Sequence, residues 1–150
     1  VVAETIETFD RIIDIKIEDF ELQPYVRMTQ RSKFADSNAQ NYIKNQAEFQ
    51  LLVRNYVNLK NYPMAGDHYI PDTAPFMLCA YVFTGKRLHR CDLDNIIKAV
   101  LDGTQGLIFK NDQMCDAILA SRHEIEPEEK PYLLLYFVPW SGSWGTELWK

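Results

Sequence analysis

The hydrophobic positions along the chain change period several times, and each change marks an element. Ile13, Ile15 and Ile17 alternate with Asp14 and Lys16, the period of a half-buried strand, and Phe20 and Leu22 continue it until Pro24. Residues 24–33 have no period and read as a polar loop. Asp36 or Ser37 can cap a long helix in which Tyr42, Ile43, Ala47, Leu51, Val53, Arg54 and Val57 recur irregularly at helical spacing until about Asn58. Residues 59–74 contain Asn61-Tyr62-Pro63, Gly66-Asp67-His68 and Pro71-Asp72 and predict a loop. Phe76 to Phe83 is a continuous apolar run of strand length, expected as a central strand covered on both faces. Leu93, Ile96, Ile97, Val100 and Leu101 then fall at the i, i+3, i+4, i+7, i+8 spacing of a buried helical stripe, with Gly103 where such a helix would stop. Leu107 to Asn111 is another apolar run, read as a strand ending in Asp112. Two further strands follow over 115–121 and 132–138, joined by an acidic connection containing Pro127.

These elements predict an α+β fold: a single domain over residues 1–150, with a mixed sheet of four to five strands and two main helices. Residues 1–11 and 141–150 are expected as tails, the second Gly/Ser-rich with Trp144 and Trp149. At 150 residues and 47 % hydrophobic the chain can bury a substantial core. The longest apolar run, from Tyr132 to Trp140, is strand-sized, so no membrane partner is expected. Three cysteines, Cys79, Cys91 and Cys115, have no paired spacing, which fits a reducing cytoplasm better than a disulfide framework. His68, His89 and His123 lie far apart and do not suggest zinc.

Net charge is −5, which taken alone argues against a nucleic-acid partner. The distribution changes that picture. From Arg27 to Lys60 there are six basic residues against two acids, whereas residues 1–21 hold seven acids against two bases. Lys86, Arg87 and Arg90 crowd the approach to the second helix. A local basic surface is compatible with DNA binding under a negative total, through phosphate contacts from Arg27, Arg31, Lys33, Lys86, Arg87 and Arg90.

The chemistry concentrates on the polar side of that second helix, where Asp94, Asn95, Lys98 and Asp102 follow Asp92 at its mouth. One reading is ordinary helix chemistry: Asp92 as N-cap, Asp94 as a first-turn acid, and Asp94 with Lys98 as an exposed pair worth roughly 0.3 kcal/mol. The other is a hard-oxygen cradle for Mg²⁺ or Mn²⁺, the chemistry that cuts phosphodiesters, with Asp112 as the third acid. Asp102 lies roughly 12 Å along the helix from Asp94 at 1.5 Å per residue, too far to share an ion, and reads as a Lys98 partner or a packing-side hydrogen bonder.

Asp92-Leu93-Asp94-Asn95-Ile96-Ile97-Lys98-Ala99-Val100-Leu101-Asp102, followed by Gly106-Leu107-Ile108-Phe109-Lys110-Asn111-Asp112, resembles the RusA-type Holliday junction resolvases. Their hallmark is an Asp-x-Asp-Asn-x-x-Lys helix with an Asp downstream at the end of a hydrophobic strand. The likeness is strongest from Arg90 to Asp112 and looser in the basic loop, where that family also carries cations. The resemblance implies a RusA-like fold, Mg²⁺ held by Asp92, Asp94 and Asp112, catalytic assistance from Lys98, and a homodimer that nicks opposed strands of a four-way DNA junction. Asn95 would orient a carboxylate or an ion-bound water as a supporting group. The expected setting is cytoplasmic, bacterial or phage-encoded. Two positions depart from the family, which often has a second Asp where Asn111 stands and a Gln where Met114 stands. Alternatives that the sequence leaves open are a less selective flap or fork nuclease, a junction-binding protein without cleavage, and an acidic protein–protein module.

Overall fold

The computed structural model describes residues 9–26, 37–85 and 92–142. Within them the chain forms a single α+β domain: β1 (Ile13–Glu18), α1 (Ser37–Lys60), β2 (Phe76–Thr84), α2 (Leu93–Thr104), β3 (Cys115–Glu124) and β4 (Tyr132–Pro139), with a short 3₁₀ turn at Asp112–Met114. The four strands make one mixed sheet in the order β1-β4-β2-β3. β4 runs antiparallel to both β1 and β2, whereas β2 and β3 are parallel. A parallel neighbour needs a crossover connection, and α2 supplies it.

The alternation in the strands decides where the core sits. Ile13, Ile15 and Ile17 of β1, Leu133, Leu135 and Phe137 of β4, and Phe76, Leu78, Ala80 and Val82 of β2 are all buried. They share one core with Tyr42, Phe49, Val53 and Val57 of α1 and Ile96, Ile97, Ala99 and Val100 of α2, so both helices cover the same sheet face. The alternate positions Met77, Tyr81 and Phe83 of β2 are only half-buried. Among the described residues β2 is therefore central with its second face only partly covered, since Cys79 on that face is buried but its neighbours there are not, short of the full cover expected from its continuous apolar run. Its open side is lined by rings that cover one another: Phe83 stacks on Tyr132 at 4.2 Å between centroids, and Tyr81 meets Tyr136 edge-on at 6.0 Å. Such pairs stabilise a half-exposed sheet face.

β1 ends earlier than its apolar pattern suggests, because Asp19 adopts φ 51° and turns the chain. Phe20 and Leu22 remain buried all the same, and the Phe20 N–H donates to the Pro131 carbonyl at 3.1 Å. α1 runs two residues past the expected end and stops at Asn61, whose φ of 54° and N–H bond to the Val57 carbonyl at 3.0 Å make a left-handed helix cap. Its buried stripe is Ala39, Tyr42, Gln46, Phe49, Val53 and Val57. Ile43, Ala47, Leu51 and Arg54, expected on that stripe, face solvent instead.

Two glycines exchange roles around the end of α2. Gly103 was the expected stop, yet the helix continues through Thr104, and Gly103 is buried against α1. A Cβ there would overlap the Phe49 ring and stand 2.9 Å from Gln46 Oε1. The chain reverses at Gly106 instead, where φ is 85° and the N–H reaches the Phe109 carbonyl at 2.7 Å. Residues 107–111 then form turns rather than the expected strand. Ile108 and Phe109 are buried as packing residues, and the Ile108 carbonyl accepts from the Tyr69 and Ile70 N–H groups at 3.1 and 2.9 Å.

At the foot of α1, Tyr62 donates its hydroxyl to both the carboxylate and the main-chain carbonyl of half-buried Asp14. Burial, and then the Asp14 bond, push its phenol from 10.0 up to about 12. An unfolded chain loses this proton near pH 10 while the folded one keeps it. The stability it confers is therefore complete below about pH 10 and is lost between about pH 10 and 12. Tyr62→Phe is expected to flatten that alkaline decline, measured by urea unfolding across the same range. An unchanged slope would remove Tyr62 from it.

Candidate active site at the mouth of the second helix

α2 is amphipathic, so burying Ile96, Ile97 and Val100 turns Asp92, Asp94 and Lys98 to the surface. Asp92 occupies the N-cap with φ −66° and ψ 134°, and its main-chain carbonyl takes the first helical bond from the Asn95 N–H at 3.1 Å. Its side chain makes no capping hydrogen bond. The ordinary reason for an aspartate here is thus absent, although the helix dipole still favours negative charge. Asp94 in the first turn is also exposed, and its Oδ1 accepts from the Asn95 N–H at 3.0 Å.

Lys98 does not serve as an Asp94 or Asp102 partner. Its ammonium nitrogen stands 3.9 Å from the centroid of the Tyr25 ring. Tyr25 is fixed by its own N–H, which donates to the Asn95 carbonyl at 2.9 Å, and meets the Tyr42 ring edge-on at 5.7 Å. Tyr42 donates its hydroxyl to Asp102 Oδ2 at 3.1 Å. Burial first, and then the Asp102 carboxylate, raise the Tyr42 phenol well above its ordinary range. Of the two readings of Asp102, the packing-side hydrogen bonder is the one realised.

Asp112 is exposed and opens the 3₁₀ turn ahead of β3. The first residue of β3, Cys115, lies opposite Phe76 at the start of β2, whereas the chain leaves for Asp92 from the other end of β2. The expectation that a strand would deliver Asp112 to the helix mouth fails with that strand. Among the described residues, no group of three or more histidine, cysteine or acidic side chains is close enough to hold a metal ion, so Asp92, Asp94 and Asp112 do not converge within the chain. The donor chemistry of Asp92 and Asp94 still fits a hard divalent ion, since both carboxylates are exposed and the Asp92 side chain is not used in capping.

The two departures around Asp112 have local reasons. Asn111 caps the 3₁₀ turn, its side-chain oxygen accepting from the Gln113 N–H at 3.0 Å. Met114 is half-buried and packs against the core, where a glutamine would need a polar partner.

Arg27, Arg31, Lys33, Lys86, Arg87 and Arg90, together with His89, Cys91, Trp144 and Trp149, lie outside the described residues. His68 and His123 have separate local partners: His68 Nδ1 meets Asp72 at 3.1 Å, and His123 Nε2 meets Ser121 Oγ at 2.8 Å. Among the described residues, no helix is long and apolar enough to cross a membrane. Tyr25 is the residue that sequence reasoning missed. It sits in a stretch without hydrophobic period, and only its adjacency to a basic run sets it apart.

No curated protein matches the chain. The family model described as Endodeoxyribonuclease RusA matches residues 22–130, a span that takes in β2, both helices, β3 and the whole aspartate-bearing segment. With that match over most of its length, the chain belongs to the RusA endodeoxyribonuclease family.

Proposed function

We propose that the protein is a Mg²⁺-dependent endonuclease that resolves four-way DNA junctions by paired symmetric nicks in recombination and repair. Mn²⁺ is the expected substitute ion. One observation carries the reading: in a chain of this family, two exposed carboxylates, Asp92 and Asp94, stand at the mouth of α2, and Lys98 stands one turn further along.

A bound divalent ion supplies a polarised scissile phosphate and a water of lowered pKa. Asp92 and Asp94 would hold it; Asp112, which does not converge with them within the chain, is the third acid that the family resemblance names. Lys98 offsets negative charge gathering on the phosphate in the transition state. Asn95, whose N–H already binds Asp94, keeps that carboxylate in one orientation. Arg27, Arg31, Lys33, Lys86, Arg87 and Arg90 hold backbone phosphates, so recognition follows the branched shape of the DNA more than its sequence. Paired nicking on opposed strands asks for two sites related by symmetry, hence a homodimer. Sedimentation as a monomer at working concentration would contradict that part.

Mn²⁺ titration followed by paramagnetic resonance tests the ion site without relying on turnover. Asp92→Asn is expected to weaken Mn²⁺ binding by about tenfold or more, because a hard cation loses one of its charged ligands. Unchanged affinity would exclude Asp92 as a ligand. The same titration of Asp112→Asn decides whether the third acid shares the ion.

The phosphate contacts carry their own prediction. Arg31→Ala is expected to weaken junction binding on all sequences and to reduce the slope of log K against log salt by about one. An unchanged slope removes Arg31 from the contacts.

A further inference from the structure

Lys98 belongs to a side chain with four rotatable carbons and roughly 2 kcal/mol of rotamer entropy to lose on fixing. On an exposed helix face its obvious partners are carboxylates, and both Asp94 and Asp102 lie four residues away on the same helix. Either pairing would compromise the nuclease chemistry. A salt bridge to Asp94 would occupy a carboxylate wanted by the ion and would cancel the charge that Lys98 brings to the phosphate.

The fold avoids both outcomes by placing an aromatic face under the ammonium. The nitrogen lies 3.9 Å from the Tyr25 centroid, well inside the roughly 6 Å range over which a ring quadrupole attracts a cation. A ring face neither neutralises the charge nor takes up the N–H donors in directional bonds, as a carboxylate does. The ring itself is held on two sides. Its residue's N–H is bonded to the Asn95 carbonyl in the first turn of α2, and Tyr42 of α1 abuts it edge-on, anchored in turn by its bond to Asp102. Asp102 therefore acts on Lys98 at second hand: it fixes Tyr42, which fixes Tyr25.

We propose that Tyr25 is the positioning residue of Lys98, its ring holding the ammonium near the mouth of α2 with its N–H donors not taken up by a carboxylate until phosphate arrives. The inference rests on the nuclease reading, because Lys98 is placed in the reaction only by that reading.

The test compares Tyr25→Phe, which keeps the ring, with Tyr25→Leu, which keeps bulk and loses the quadrupole. Cleavage of a four-way junction is followed to give kcat and KM, and the Lys98 ε-methylene protons are followed by NMR. Tyr25→Phe is expected to retain kcat within about twofold and to keep the upfield ring-current shift of those protons. Tyr25→Leu is expected to lose the shift and to lower kcat by about tenfold at unchanged KM, measured well below a thermal midpoint that falls with loss of the Tyr42 ring contact; tenfold corresponds to about 1.4 kcal/mol in the barrier. A merely structural role would leave kcat per folded molecule at its wild-type value. Wild-type kcat in Tyr25→Leu, equal losses in both variants, or a wild-type protein without the ring-current shift would each overturn the proposal, and the last needs no variant to fold. A wild-type protein that shows the shift but cuts no DNA would instead refute the nuclease reading, and the role of Tyr25 with it.

Discussion

Asp94→Asn is expected to lower the rate of DNA cleavage by at least about a thousandfold, or roughly 4 kcal/mol in the barrier, while leaving the fold and junction affinity intact. The substitution keeps the shape of the side chain and keeps an oxygen for the bond from the Asn95 N–H. What it removes is a charge. Asp94 is exposed, so no core packing is disturbed, and the lost helix-dipole interaction is worth only about 0.3–1 kcal/mol. Loss of a charged ligand weakens the ion site, whereas loss of negative charge beside the DNA backbone favours binding. Junction affinity should therefore hold or tighten as turnover falls. Single-turnover cleavage, gel-shift affinity and thermal unfolding on the same preparation separate these effects. Full activity in Asp94→Asn would defeat the assignment of the helix mouth as the ion site.

The second large effect concerns stability. Phe49→Ala is expected to destabilise the fold by about 3–5 kcal/mol, a large share of the roughly 5–15 kcal/mol that holds a domain together. Phe49 is fully buried, stacks on Phe20 at 5.9 Å with 10° between rings, and lies against the backbone of Gly103. Gly103→Ala at the same contact should cost about 1–3 kcal/mol, because the added methyl drives into the ring. That cost persists even though alanine is about 1 kcal/mol better than glycine within a helix. In the Phe49→Ala background the ring is gone and the methyl has room. Gly103→Ala should then be neutral or stabilising, a coupling of about 2 kcal/mol readable from urea unfolding of the four proteins. Additive losses would mean that the helices do not meet there.

This contact also shows where the sequence stops being informative. β1 was legible because one of its faces is buried and the other is not, so Ile13, Ile15 and Ile17 declare themselves by alternation. α2 was legible for the same reason at helical period. α1 was legible as a helix but not in its facing, because Ile43, Leu51 and Leu59 place apolar groups on its solvent side and obscure the stripe through Gln46 and Phe49. Gly103 looked like a stop because glycine breaks helices, but close approach to another helix asks for the same residue, and only the partner ring decides between the two. Residues 107–111 failed as a strand because Ile108 and Phe109 are apolar for packing, with their backbone bonded in turns and to the 69–70 loop.

The candidate site divides in the same way. Asp92, Asp94, Asn95 and Lys98 are neighbours on one helix, so their spacing alone places them together. Asp112 depends on where a turn delivers it, which periodicity does not encode. The Lys98–Tyr25 contact joins α2 to the segment after β1, and no local pattern announces it.

The most direct test of the central claim is cleavage of an end-labelled four-way junction, with linear duplex and flap controls, in Mg²⁺ and in EDTA. The account predicts paired symmetric nicks on the junction, formed with Mg²⁺ and abolished by EDTA, with the controls left intact. Binding of the junction without nicks in Mg²⁺, or equal cutting of all three DNAs, would contradict it.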